Sequence, residues 1–454
     1  MKSVAERYQI RGARSTEIAG SLESAIVHGR FDAQAQLPTV RALAEALGVS
    51  VVTVANAYRE LGRRGLVVAD GRNGTRVRSQ TAVLGRQQRQ FPTGTRNLAD
   101  GNPDPGLLPS LLPAALPKRS SLYGSAPEEA SLVRTAVARF QSDGIAAEAE
   151  SLAVASGALD ALTLLLASAG LRPGDRIAVE DPSYCGHLDL LRSLGFTPLP
   201  VAADAYGMQP SALETALCRG ARAIVIVPRA MNPSGTALDA ARARKLRALL
   251  DERAAVIPDG LLVIEDDFCD GIAGVPAVTV WGERSRAGRR WAVVRSVAKS
   301  LGPDLRLAVV TGDRVTINRL KKNQRVGVGW VSHVLQTQVA ALWSDVKTMR
   351  MVANAERVYT QRRDALLAAL RERLGIETLC RAGINLWIPV LDERETSEAL
   401  IAAGYGVAEG ERFRLDTAPA IRITFARLRE EEVASFVAAL EVALQRRPPS
   451  VRLA

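Results

Sequence analysis

Six kinds of chemical group, lying between residues 157 and 306, could together bind one small anionic cofactor. They occur along the chain as a glycine turn, an aromatic ring, an amide, a carboxylate, a lysine beside a hydroxyl, and an arginine. Backbone N–H groups at a helix start and an arginine can hold a phosphate, and a lysine can form a Schiff base. Pyridoxal 5′-phosphate (PLP) is the cofactor whose chemistry uses all six groups. The assigned residues are Gly157, Ala158, Leu159, Tyr184, Asn232, Asp266, Ser296, Lys299 and Arg306.

Each of these residues has one role in this interpretation. Lys299 forms the Schiff base, Asp266 stabilises the protonated pyridine nitrogen, and Tyr184 stacks on the ring. Asn232 donates a hydrogen bond to the phenolic O3′. Taken singly, each residue has an ordinary structural explanation, but the ordered set favours the cofactor. The groups that neutralise the phosphate are Ser296, Arg306 and the amides of residues 157–159.

The elements that must position these residues form an alternating pattern. Short apolar runs alternate with helical runs, which predicts an α/β domain with a mainly parallel sheet flanked by helices. Ligands of such sheets bind at the carboxyl ends of the strands, where the candidate residues lie. The carboxylates at the end of the last of these runs would need a cationic partner if they are buried. The strand-like runs are LAVAS, RIAVED, AIVIVP and LLVIEDD.

The first eighty residues have a different character. They contain 12 Lys or Arg against 7 Asp or Glu, so they hold nearly half of the net charge of +11. Helical patterns over residues 15–29, 38–48 and 50–65, followed by a hairpin with its turn at 70–74, predict a winged helix-turn-helix. Its third helix would enter the major groove of double-stranded DNA by its N-terminus. The predicted DNA contacts are Arg41, Ser50, Thr53, Asn56, Arg72, Asn73, Gly74 and Arg76.

Length and composition indicate several domains, because 454 residues with 47% hydrophobic residues can bury a large core. Four scattered cysteines without CxxC spacing and three histidines predict neither a disulfide framework nor a metal site. Since no signal-peptide or membrane-spanning pattern occurs, we expect a cytoplasmic protein without a membrane partner. The predicted domains are a DNA-binding domain at 1–80, a basic flexible linker at 81–96, and a PLP-binding effector and dimerisation domain at 97–454.

Residues 15–78 resemble the DNA-binding domain of the GntR regulators. The strings that carry this resemblance are LPTVRALAEALGVS, VTVANAYREL and GRNGTRV. One departure is Val51, which stands where that family usually has an arginine. Base reading at this point would rest on apolar contact with thymine methyl groups or would shift to the wing.

Residues 97–440 resemble the fold type I aminotransferases. That resemblance implies that Arg422, in the string PAIRITF, holds the carboxylate of a ligand. It also implies a homodimer in which Tyr123 reaches the cofactor of the partner subunit. The fusion of the two parts resembles the MocR subfamily of GntR regulators. Strings such as GNPDP, LYGSAP and RSVAKSLGPDLRLAVV resemble its PtsJ-type members, which are associated with repression of vitamin B6 salvage.

We therefore expect a transcriptional regulator in which PLP bound through Lys299 modulates operator binding, with a B6 vitamer as effector and an amino acid as a further candidate. One alternative is an active PLP-dependent aminotransferase with an appended DNA-binding domain. Another is a DNA-binding protein whose second domain is a ligand-free dimerisation domain. Phe268, Ala298 and Met231 replace polar residues that many aminotransferases carry, which weakens the enzymatic alternative but leaves a residual half-reaction open.

Overall fold

Two compact units make up the chain, Met1–Gln87 with Leu191–Pro198, and Gln88–Leu190 with Leu199–Ala454. A hydrophobic core lies within each of them. A computed structural model describes residues 8, 10–27, 30–31, 35–63, 66–69, 74–77, 90–111, 121–254, 260–281 and 289–445.

Three helices and a two-stranded hairpin form the N-terminal part of the first unit. The second helix begins after Thr39, whose hydroxyl accepts from Ala42 N, and ends at Gly48, where φ is +65°. The first and third helices pack through fully buried apolar residues such as Leu22 and Leu61. The bounds are α1 Ser15–Val27, α2 Val40–Leu47, α3 Val51–Arg63, β1 Val67–Ala69 and β2 Thr75–Val77. This is the predicted winged helix-turn-helix.

Beyond residue 129, helices cover an eight-stranded sheet, as the alternating pattern predicts. Its strands are β4 Leu152–Ala155, β5 Arg176–Asp181, β6 Thr197–Asp204, β7 Gly207–Met208, β8 Ala221–Ile226, β9 Leu262–Asp267, β10 Arg290–Ser296 and β11 Ala308–Gly312. Its helices are α4 Ala130–Ser142, α5 Ala158–Ala167, α6 Cys185–Ser193, α7 Pro210–Cys218, α8 Ala240–Ala254, α9 Arg314–Val326, α10 His333–Ser344 and α11 Val346–Leu374.

The strand order of this sheet is β4-β11-β10-β9-β8-β5-β6-β7. Strands β5, β8, β9 and β10 pair in parallel, so their carboxyl ends share one edge. Strand β11 is antiparallel to both of its neighbours, because Ala308 pairs with Ser296 on one side and with Ala155 on the other. The start of β11 therefore lies at the same edge as the ends of β4 and β10.

A smaller C-terminal region follows the long helix α11. Strands β12, β15 and β14 form an antiparallel sheet, and β3 pairs in parallel with β13. Strand β3 begins at Arg96, the last residue of the predicted linker, and Arg96 also pairs with Glu432 at 2.7 Å. The bounds are β3 Arg96–Asn97, β12 Asn385–Pro389, α12 Glu393–Ala402, β13 Tyr405–Gly406, β14 Ala408–Glu409, β15 Ala420–Thr424 and α13 Glu430–Gln445.

In the described part of the chain, no single helix is long and apolar enough to cross a membrane. The pair Val40–Leu47 and Val51–Gly62 meets the test of length and composition only when the two are taken together, and it is bent by 119°.

Candidate cofactor site and DNA interface

A phosphate-binding turn lies between β4 and α5. Gly157 caps α5 with φ of +102°, and a Cβ built there would lie 2.8 Å from Arg306 Nη2. Arg306 Nη2 donates to Ser156 O at 3.3 Å. Ser296 ends β10, and the Ala308 pairings bring that strand end beside the same turn. The predicted phosphate residues therefore converge, with a cation and a helix N-terminus at one place.

Asp266, at the end region of β9, has one oxygen held and one available. His187 Nε2 lies 2.9 Å from Asp266 Oδ2, and both side chains are buried. Asp266 Oδ1 is buried without a hydrogen-bond partner among the described residues. A buried carboxylate oxygen is costly to leave unpaired, and a protonated pyridine nitrogen would satisfy it. This donor set fits PLP.

His187 is a site residue that the sequence analysis missed. It lies in α6, three residues after Tyr184, so both side chains can meet on one face of the helix start. Their rings are in edge contact, with centroids 5.3 Å apart. The three-residue spacing was the one sequence signal that could have found it.

The two carboxylates beside Asp266 are satisfied in different ways. Asp267 pairs with Arg229 and Arg295 at 2.7 and 3.0 Å, as expected for a buried anion. Glu265 has no ion pair among the described residues and instead accepts from the Thr279 hydroxyl and from two backbone N–H groups. Burial raises the pKa of Glu265. Both carboxylates hold the fold around the site.

Arg422 is a buried cation without a carboxylate partner among the described residues. Nη1 donates to Asn232 Oδ1 at 3.1 Å, and the guanidinium lies 4.7 Å from the centre of the Phe413 ring. Its Nε has no hydrogen-bond partner in the described part of the chain, and burial lowers the pKa of Arg422. An arginine in this situation can bind a ligand carboxylate through two parallel hydrogen bonds. Arg422 and Asn232, which were assigned to a ligand carboxylate and to the cofactor, thus lie in contact.

A short backbone segment, residues 96–101, connects these cations. Lys299 Nζ donates to Gly101 O, and Arg422 Nη2 donates to Ala99 O. The same segment is held to the C-terminal sheets, because Leu98 N donates to Gly406 O and Thr424 N donates to Leu98 O. The 96–101 segment therefore touches both the predicted Schiff-base lysine and the predicted carboxylate-binding arginine.

Tyr123 lies apart from these residues. Its side chain is 94% exposed, and its ring is in edge contact with Trp330, with centroids 5.6 Å apart. Among the described residues, its recorded contact is with Trp330 and not with a residue of the site that contains Lys299. The role expected for it, in the site of a partner subunit, remains a prediction.

The predicted DNA-contacting residues lie on α2, α3 and the wing. Arg41 and Ser50 are exposed, and Ser50 Oγ caps α3 by accepting from Thr53 N at 3.1 Å. Asn56 Oδ1 accepts from Arg59 Nη2 at 2.5 Å. On the wing, Arg76 lies in β2 and Gly74 precedes it with φ of +87°. Arg72 and Asn73 lie outside the described residues.

Both the N-terminal part and the larger C-terminal part of the chain match known families. Residues 14–77 match the family model of bacterial regulatory proteins of the gntR family, and residues 95–440 match that of aminotransferase class I and II. The vitamin B6 salvage pathway transcriptional repressor PtsJ of Salmonella typhimurium is 38% identical over 442 residues, covering 96% of this chain and 100% of the relative. The chain belongs to the MocR-type GntR regulators.

A further regulator is similar along most of the chain, and solved aminotransferases share the fold of its larger part. The HTH-type transcriptional regulator TauR of Rhodobacter capsulatus is 26% identical, covering 89% of this chain and 90% of its own. The α-aminoadipate aminotransferase LysN of Thermus thermophilus has a TM-score of 0.67 at 21% identity, covering 81% of this chain and 98% of its own.

A second solved structure, the kynurenine aminotransferase of Pyrococcus horikoshii, has a TM-score of 0.68 at 21% identity, covering 81% of this chain and 96% of its own. These two structures share the fold of the second unit. The second unit of this MocR-type regulator thus has the PLP-dependent aminotransferase fold, and PLP is its cofactor.

Proposed function

We propose that the protein is a repressor whose affinity for its operator depends on PLP bound at Lys299, and that it controls genes of vitamin B6 salvage. The target genes are inferred from the PtsJ relative, whose name states that role. The observation that carries the sensing proposal is the 96–101 segment, whose carbonyls accept from Lys299 and Arg422. Binding of chromosomal DNA would place the protein in the cytoplasm, as the sequence predicts.

The hydrogen bond from Lys299 to Gly101 O couples the 96–101 segment to the cofactor. As an ammonium, Lys299 has three N–H donors, one of which goes to Gly101 O. Covalent linkage at Nζ leaves at most one N–H, so the Gly101 carbonyl must share or lose this donor. The segment is continuous with the chain that precedes Arg96, through which a change would pass towards the DNA-binding domain. PLP alters operator binding by this route only if the protein has two conformations, one with the 96–101 segment held and one with it displaced, and PLP binds them with different affinities.

Arg422 gives the same segment a second possible input, from an amino-acid effector. A ligand carboxylate would take two of the guanidinium N–H groups, in competition with Ala99 O and Asn232 Oδ1. Binding of an amino acid at Arg422 would therefore act on residue 99, as the cofactor acts on residue 101.

A homodimer is part of the proposal. Leu122, Tyr123, Val326 and Val328 are largely exposed apolar residues, and the Tyr123 ring contacts Trp330, close in sequence to Val328. Exposed apolar clusters of this kind indicate association with another protein surface. Light scattering of the full-length protein tests this proposal. We expect a dimer for the wild-type protein and a monomer for the double variant Val326→Asp, Val328→Asp.

The transmission route can be tested with one glycine substitution. Gly101 has φ of +69°, and a Cβ there would lie 3.3 Å from Arg422 Nη1, so Gly101→Ala disturbs the segment without removing a polar side chain. We expect Gly101→Ala to bind PLP, seen as a visible absorption band, but to lose most of the PLP effect in an operator gel-shift titration. Gly144→Ala is the matched control, because Gly144 has φ of +73° and open space around its Cβ. A full PLP effect in Gly101→Ala would exclude this route.

Aminotransferase activity is a second candidate function, favoured by the hydrogen bond between Arg422 and Asn232. This contact places a carboxylate-binding arginine next to a residue assigned to the cofactor. A single-turnover reaction of the PLP-loaded protein with a panel of amino acids tests it. Formation of a 2-oxo acid with loss of the visible band would support activity, and its absence with every donor would exclude it.

A further inference from the structure

Two adjacent valines at the start of α3 are exposed. Val51 is 48% exposed and Val52 is 65% exposed, whereas the apolar residues Val54, Ala57 and Leu61 farther along the helix are fully buried. Residues four and three positions apart share one side of a helix, so Val52 lies on the same side as Asn56 and Arg59. This side is opposite the face that packs on the core of the first unit.

Several polar atoms around these valines hydrogen-bond within the start of α3. Ser50 Oγ accepts from Thr53 N and lies 2.8 Å from Thr53 Oγ1. Asn56 Oδ1 accepts from Arg59 on the next turn. The start of α3 therefore presents two apolar side chains at the position from which a recognition helix reads base edges.

We propose that Val51 and Val52 read the C5-methyl groups of thymine in the major groove. This rests on DNA binding through α3, which is part of the proposed function. Thymine presents an apolar C5-methyl group in that groove beside its O4 acceptor, whereas guanine, adenine and cytosine present hydrogen-bonding atoms without a methyl group. A valine against those atoms would remove water from them and offer no hydrogen bond in return. A thymine methyl group loses no hydrogen bond, so each half-site should contain thymine opposite the start of α3.

The test uses an operator selected by the full-length protein from a random DNA pool. Each thymine of a half-site is replaced in turn by deoxyuridine, which pairs identically with adenine and lacks only the C5-methyl group. Burying one methyl-sized group contributes about 0.8 kcal/mol, so we expect about a fourfold loss of affinity at one or two positions. At those positions Val51→Ser or Val52→Ser should bind the thymine and deoxyuridine operators equally well.

Val346→Ser is the matched control, because Val346 is 64% exposed and is the first residue of α11 in the other unit. The Val346→Ser protein should retain the fourfold preference for the thymine operator over the deoxyuridine operator. Equal affinity of the wild-type protein for every deoxyuridine operator would overturn the proposal while leaving DNA binding intact. A methyl effect that survives in both Val51→Ser and Val52→Ser would also overturn it. Failure to select any DNA would refute the proposed function together with this inference.

Discussion

His187 Nε2 lies 2.9 Å from Asp266 Oδ2, and this contact fixes one oxygen of a buried carboxylate whose other oxygen has no partner in the described residues. The histidine orients the carboxylate, because rotation of the group would break the hydrogen bond. Asp266 can therefore act as a positioned acceptor for a protonated ring nitrogen. This geometry gives the cofactor assignment its most specific support at the level of single atoms.

Asp266→Asn should weaken PLP binding by about one to two orders of magnitude, because a hydrogen bond to a charged group contributes about 1.5 to 3 kcal/mol. Titration of the visible absorption band measures the affinity. Asp304→Asn, at an exposed aspartate five residues after Lys299 in the sequence, should leave the PLP affinity unchanged. Equal PLP affinity in wild type and Asp266→Asn would show that this carboxylate does not face the ring nitrogen.

Gly157→Ala should reduce PLP affinity while barely changing the affinity for pyridoxal, which lacks the phosphate. The added Cβ would lie 2.8 Å from Arg306 Nη2, and alanine is strained at φ of +102°. The ratio of the two dissociation constants, from parallel absorbance titrations, measures the phosphate contribution. Gly170→Ala, with φ of +73° and open space around its Cβ, is the control. Equal losses for both ligands would place the phosphate elsewhere.

The sequence predicted those parts of the molecule that depend on local patterns. The cap at Thr39, the turn at Gly48 and the strands around the sheet edge follow from residues close together in the chain. The convergence of Gly157 and Arg306 also agrees with the prediction of a ligand at one edge of the sheet, although Arg306 reaches that edge at the start of the antiparallel strand β11.

The contacts that the sequence did not predict are long-range. His187 and Asp266 are 79 residues apart, so no local pattern joins them. The carbonyls of Ala99 and Gly101 meet Arg422 and Lys299 across 323 and 198 residues. A backbone carbonyl is the same in every residue and carries no sequence signal. The polar stretch at 81–96 has no periodicity and was therefore predicted to be a linker. Its last residue, Arg96, already belongs to strand β3.

Glu180 should make stability depend on pH. It is fully buried, one of its oxygens accepts from Val227 N at 3.0 Å, and burial raises its pKa from 4.5 to about 8. A carboxyl with a raised pKa stabilises the fold fully below its unfolded pKa and loses that contribution as pH rises through about 8. The free energy of unfolding should therefore fall as pH rises from about 4.5 to about 8, as measured by urea titration of the full chain.

Glu180→Gln should remove that part of the pH dependence, because a neutral amide replaces the titrating group. Glu150→Gln, at an exposed carboxyl, should keep it. The same pH dependence in wild type and Glu180→Gln would assign it to other groups.

Arg422→Gln should abolish the response to any amino-acid effector while PLP still binds. The loss is expected because a neutral amide cannot replace the bidentate, charge-assisted contact with a carboxylate. The spectral change on titrating amino acids into the PLP-loaded protein measures it. Arg394→Gln, which removes a largely exposed arginine, is the control. An unchanged response in Arg422→Gln would place the ligand carboxylate elsewhere.

The most direct test of coupling between the two domains is operator affinity as a function of PLP concentration, measured by fluorescence anisotropy for wild type and Lys299→Ala. Coupling between two sites typically changes affinity by about 5- to 150-fold. We predict a saturable shift of at least about fivefold in wild type, at the concentrations that produce the visible band, and none in Lys299→Ala. Identical operator affinity of the wild-type protein with and without bound PLP would contradict a PLP-responsive regulator.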